Sequence, residues 1–171
     1  MLLSNFRRSS ADATRFGLPE SLRDRALLGL MCYIFARVSA VVTLRVENYF
    51  QQGRRSWVRL HGKGGKRYEV PGHHSLDEYL DTWIAAAKIG EDKKGPLFRS
   101  FKKGDKLTGN PLMRSDVLYM IKRRAKAAAL PYSTCCHTFR ATGITAYLQN
   151  GSTLERAANR RAPVASSYET L

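Results

Sequence analysis

Apolar residues recur at helical spacing in three stretches of the chain, and between the first two the period shortens to that of strands. Leu27, Leu30, Met31 and Ile34 share one helix face. Ser21, with Asp24 three residues on, supplies a capping box for that helix. Residues 38–44 add a short helical turn. Residues 46–50, 56–61 and 67–70 read as strands, separated by Gln51-Gln52-Gly53 and by Gly62-Lys63-Gly64-Gly65. This predicts a three-stranded antiparallel meander with Lys63 on a hairpin tip. Ser75 and Glu78 form another capping box, opening a helix whose inner face is Leu76, Tyr79, Leu80, Trp83, Ile84 and Ala87.

Further along, residues 93–110 are basic and punctuated by Gly and Pro, which predicts a loop with Leu97-Phe98 turned inward. A helix over about residues 115–129 carries Val117, Met120, Ile121 and Ala128 on one side. Pro131 upstream, Thr138 and Thr142 near its start, and Asn150-Gly151 as a C-cap bound a last helix at about 138–150. The expected fold is α+β, mainly helical, with one small three-stranded antiparallel sheet. Residues 1–19 are polar and without period, hence a linker or flexible end. Residues 20–155 form the domain.

Composition narrows the partners. A chain of 171 residues, 43% hydrophobic, can bury one ordinary core. Its 29 Lys and Arg against 14 Asp and Glu leave a net charge of +15, which favours a polyanion, first of all nucleic acid. Charge alone also fits a basic ribosome-associated or RNA-binding protein, although nothing in the chain resembles an RNA-recognition motif. Three cysteines, Cys32 and the adjacent Cys135-Cys136, lack metal-ligand spacing and fit a reduced, intracellular protein. No run approaches the roughly 20 apolar residues that span a bilayer, so no membrane partner is expected.

The candidate chemistry lies in Cys136-His137-Thr138-Phe139-Arg140. Three residues apart on a helix, His137 and Arg140 can face one acidic group, and at a helix N-terminal end free N–H groups also favour an anion. Such a pair is commonly no more than a solvated or capping pair. What singles it out is Arg37 in Ala36-Arg37-Val38-Ser39 and Lys63 in Gly62-Lys63-Gly64-Gly65-Lys66-Arg67. In this order the three segments resemble the catalytic domain of the tyrosine recombinases, also called phage integrases, over about residues 21–155.

The resemblance implies a site-specific recombinase or integrase of a mobile element. A tyrosine of such an enzyme attacks DNA, forms a 3′-phosphotyrosyl link and passes the strand to a new 5′-hydroxyl without ATP. A phosphodiester in transit concentrates negative charge on its nonbridging oxygens, and a planar guanidinium that never deprotonates can bond two of them. Arg37 and Arg140 would supply this, and His137 would handle a proton or donate a hydrogen bond. Lys63 would protonate the leaving 5′-hydroxyl, with Lys66 as its rival, and Tyr168 is the only tyrosine beyond the last expected helix available as nucleophile. No cofactor or metal is implied, because the arginines take a cation's place. Double-stranded DNA is the expected partner, a homo-oligomer on DNA the expected assembly, and the bacterial cytoplasm, with the nucleoid, the expected compartment. Lys66, Arg67, Lys122, Arg123 and Lys126 are the expected further DNA contacts; the Lys122-Arg123-Arg124-Lys126 run reads otherwise as a solvated face.

Three departures from the family pattern accompany the likeness. Ala40 stands where a glutamate commonly orients the first arginine, and the DNA-clamping N-terminal domain is missing. After Thr153-Leu154-Glu155, the segment 156–171 lacks both the apolar period and the third-box histidine, and it brings Tyr168 a few residues too close to His137. Ordinary codons for residues 156–163, read one nucleotide later, encode Ala-Gln-Gln-Ile-Ala-Ala-His, so we read 156–171 as an aberrant, out-of-frame terminus. The coding DNA tests this. The alternative function is accordingly a catalytically inactive DNA-binding remnant of an integrase.

Overall fold

The computed structural model describes residues 18–61, 67–103 and 106–153. The expectations for residues 1–17, for Lys63 and Lys66, and for 154–171 with Tyr168 lie outside the described residues.

Helix α1, Leu18–Tyr33, begins before Ser21, so Ser21 does not cap it. Asp24 has a stronger claim on its carboxylate than a local cap. It is 1% exposed and accepts from Arg23 Nη2 and Arg124 Nε, both at 2.7 Å, with those arginines themselves 4% and 5% exposed. Past the end of α1 the Ala36 N–H reaches back to Leu30 O at 3.3 Å, which closes the chain over the last turn. The left-handed position belongs to Phe35, φ +55°, a site usually given to glycine. Burial against Tyr147, ring centroids 5.6 Å apart, holds it there. The turn releases Arg37 in extended conformation as the N-cap of helix α2, Val38–Val42.

Arg45 leads not into a strand but into a 3-10 turn, Val46–Asn48, because the Asn48 side-chain carbonyl accepts the Arg45 N–H at 2.8 Å. The expected meander follows as β1 Tyr49–Gln52, β2 Arg55–His61 and β3 Arg67–Pro71, antiparallel in the order β1-β2-β3. Val58 pairs with Val70 and Leu60 with Tyr68. Val58, Leu60 and Val70 face the core, so Arg59, His61, Arg67 and Glu69 face outward. Helix α3, His74–Ala87, starts one residue before Ser75, whose N–H donates to the His73 ring at 3.2 Å; His73, not Ser75, is the cap. Its Leu76, Tyr79, Leu80 and Trp83 are buried as the period requires.

The expected loop at 93–110 holds a second hairpin, β4 Arg99–Lys102 and β5 Lys106–Pro111, with Phe101 paired to Leu107. Leu97 and Phe98 are fully buried, and Trp83 Nε1 donates to Leu97 O at 2.8 Å. Helix α4, Arg114–Ala127, ends before Ala128, which is exposed; Ala125 takes the buried place. Arg124, read from sequence as part of a surface run, is instead the partner of Asp24. Helix α5, Cys136–Gln149, begins two residues earlier than expected, since Cys135 is its N-cap and donates its N–H to Thr138 Oγ1 at 3.0 Å. Among the described residues no helix is long and apolar enough to cross a membrane.

Helix α5 crosses the end of α1 at very close range. A Cβ at Gly143 would stand 1.9 Å from the Cys32 carbonyl oxygen. The Cys32 thiol donates to Phe139 O at 3.3 Å, and burial pushes that thiol up to about 12, keeping it a donor at neutral pH. Gly143→Ala must therefore separate the two helices and is expected to cost at least about 1–3 kcal/mol. A urea melt reads this; an unchanged midpoint would contradict the contact.

Candidate phosphate site

Two of the expected site residues come to one place from opposite ends of the chain. Arg37 projects from the turn between α1 and α2, and Arg140 from the second turn of α5, which Gly143 and Phe139 press against α1. Tyr68, on β3, lies between their fields. Burial pushes the Tyr68 phenol above its ordinary range, while the charges of Arg140 and Arg37 both pull it down. Both guanidinium groups therefore lie within electrostatic range of the one hydroxyl. Arg37 is exposed; Arg140 is half-buried, with its Nε out of solvent. The exposed fork can meet a ligand while the buried one is fixed by packing.

His137 is the second residue of α5 and is exposed. It lines an open cleft of about 960 Å3 together with Val38, the residue after Arg37, and with Arg45, Lys94 and Arg114. The cleft thus runs from α2 past His137 to the start of α4, and neither Arg37 nor Arg140 lines it. At the α5 cap, slight burial would raise the Cys135 thiol. Hydrogen bonds from the Thr138 side chain and from the Thr138 and His137 backbone, together with the Lys122 charge, outweigh it and hold the thiol below its usual range. The N-terminus of α5 therefore does favour negative charge beside His137.

The expected DNA contacts are placed unevenly. Lys63 and Lys66 lie outside the described residues; His61 and Arg67, which flank them in sequence, are exposed. Lys122 donates to Tyr132 O and lies 4.3 Å over the Tyr132 ring. Arg123 is held by Glu20 at 2.6 Å, and Lys126 is exposed. Sequence reasoning missed Tyr68 and Phe35. Strand alternation put Tyr68 on the face of Val70 but gave no reason to link it to distant arginines, and a bulky residue at a left-handed position carries no sequence signal.

Ala40, where a carboxylate was expected to orient Arg37, is 9% exposed on α2. The Arg37 backbone is instead fixed by α2 itself, its carbonyl accepting from Ala40 and Val41 N–H at 2.9 and 3.0 Å.

Comparison with known proteins bears on the family and the fold. The phage integrase family model matches residues 9–160. The tyrosine recombinase XerD of Staphylococcus aureus strain N315 is 33% identical over 132 residues, 77% of this chain and 43% of the relative. The chain thus spans less than half the length of that relative. Among solved structures, the XerH site-specific recombinase bound to its difH substrate superposes with a TM-score of 0.68 at 18% identity, over 92% of this chain and 44% of the other. A lambda integrase dimer bound to a COC′ core site does so with 0.66 at 15% identity, over 98% and 58%. At those identities the structural likeness concerns the fold, which here is the one carrying Arg37, His137 and Arg140. The chain belongs to the phage integrase family of tyrosine recombinases.

Proposed function

We propose that residues 20–155 act as the catalytic domain of a site-specific DNA recombinase or integrase, on duplex DNA in the bacterial cytoplasm. The observation that supports this most is the match of the phage integrase family over residues 9–160, with Arg37 and Arg140 both in electrostatic range of Tyr68. Two fixed guanidinium groups so placed suit the nonbridging oxygens of one phosphodiester, and His137, three residues before Arg140, suits a donor to the same group. Lys63 is the proposed acid for the 5′-hydroxyl. Lys66, Arg67, Lys122 and Lys126 are proposed to follow the DNA backbone. Arg123 is a weaker candidate for that role, being held by Glu20. Homo-oligomers on DNA belong to the same proposal.

A second reading, a DNA-binding remnant that does not cleave, is favoured by the sequence 156–171, which departs from the family pattern around Tyr168. A nicked suicide duplex separates the two. Cleavage traps a covalent protein–DNA band in denaturing gels, and Tyr168→Phe removes it. Salt-sensitive binding with no such band selects the remnant. Equal affinity for unrelated RNA and duplex DNA contradicts both.

A further inference from the structure

The outward face of the three-stranded sheet carries a polar cavity of about 370 Å3 that the arginine pair does not use. Arg45, Arg59, Arg67 and His61 line it, with Thr43 and Glu47. Three guanidinium groups face one carboxylate among these, an excess of two positive charges before His61 takes a proton. Neither neighbouring carboxylate closes the site. Arg45 meets Glu47 only at 3.9 Å, with both side chains more than 40% exposed, a pair of little strength. Arg59 is bound to Glu69 at 2.8 Å, and its guanidinium also lies 4.8 Å over the Phe50 ring, which sets its plane. Arg67 is exposed and has no ion pair among the described residues. Like charges held together at a concave surface repel, and an anion between them relieves this.

The cavity is distinct from the arginine pair, since Tyr68 and Leu60 point to the other face of the sheet. The two are joined by α2, with Arg37 at its start and Thr43 just past its end. Six residues of helix advance about 9 Å, so the two places lie close enough to meet the same DNA strand. We infer that this cavity seats a second backbone phosphate of the bound duplex, on the same strand as the phosphate at Arg37 and Arg140. The inference rests on the DNA-binding reading above. The seat carries no base contacts, so it positions the strand without reading sequence.

The test is the salt dependence of duplex binding by the full chain, followed by fluorescence anisotropy. Because Arg45 and Arg67 share one phosphate, the double variant Arg45→Gln/Arg67→Gln should flatten the log–log slope by about 0.9, the value for one contact. Lys102→Gln, on the separate β4–β5 sheet, should leave the slope unchanged. An unaltered slope in the double variant overturns the inference. So does a drop of about 1.8, which means two separate phosphates, or an equal drop in Lys102→Gln, which means general charge loss. Circular dichroism checks folding, and Arg67→Gln alone serves if the pair misfolds. Failure of the unaltered chain to bind duplex DNA sinks the DNA reading and this inference together; binding with an unchanged variant slope sinks only the inference.

Discussion

Asp24→Ala should lower the unfolding free energy by about 3–5 kcal/mol, the usual consequence of removing one partner from a buried ion pair. Asp24 lies between Arg23 and Arg124, and all three are at most 5% exposed. Without the carboxylate two guanidinium groups remain out of water with their charge uncompensated. Arg23 also donates to Arg99 O at 3.1 Å and lies 5.0 Å over Phe101, so the cluster ties α1 to the β4–β5 hairpin as well as to α4. Glu20 cannot substitute, because it already receives Arg123 at 2.6 Å and reaches Arg23 only at 3.4 Å. Small domains have about 5–15 kcal/mol to lose, so the variant should be close to unfolding at 37 °C. Urea denaturation measures this. A loss below about 1 kcal/mol would mean that water or another carboxylate reaches the arginines.

The second large effect is on DNA. Arg140→Ala removes the half-buried member of the arginine pair and should weaken duplex binding by about 10- to 150-fold, the equivalent of one charge-assisted hydrogen bond of about 1.5–3 kcal/mol. Arg140→Lys should recover only part of this. An ammonium keeps the charge but cannot present two parallel donors to a phosphate. Equal binding by the lysine variant would show that position 140 contributes charge and not geometry. Circular dichroism and the urea midpoint separate this loss from unfolding, since Arg140 lies beside the α1–α5 contact.

Much of the architecture can be read in the chain because the core is built from regular periods. The inner faces of α1 and α3, and the three-stranded meander, follow from the spacing of apolar residues and glycines. The β4–β5 hairpin does not. Its strands Arg-Ser-Phe-Lys and Lys-Leu-Thr-Gly-Asn-Pro are short, polar and largely exposed, so they lack the alternation that marks a half-buried strand. Caps were misplaced where a tertiary partner outweighed the local one. Asp24 has the right spacing from Ser21, yet its partner is Arg124, a hundred residues away. The same pairing takes Arg124 out of a basic run that looks solvated throughout.

The candidate site was legible as residue types in order, Arg37 then His137 and Arg140, and not as a place. Convergence depends on features without a local signature: Phe35 in a left-handed turn that aims Arg37, and Gly143, which lets α5 approach Cys32 closely enough to bring Arg140 alongside.

The account stands on Arg37 and Arg140 holding the same phosphate, and a double-mutant cycle on duplex affinity at fixed salt measures that directly. With Arg37→Ala, Arg140→Ala and the double variant, a shared phosphate gives a coupling energy of about 0.5–3 kcal/mol, because the second substitution removes less than it does alone. Losses that add to within about 0.3–0.5 kcal/mol would place the two arginines on independent contacts and contradict the site.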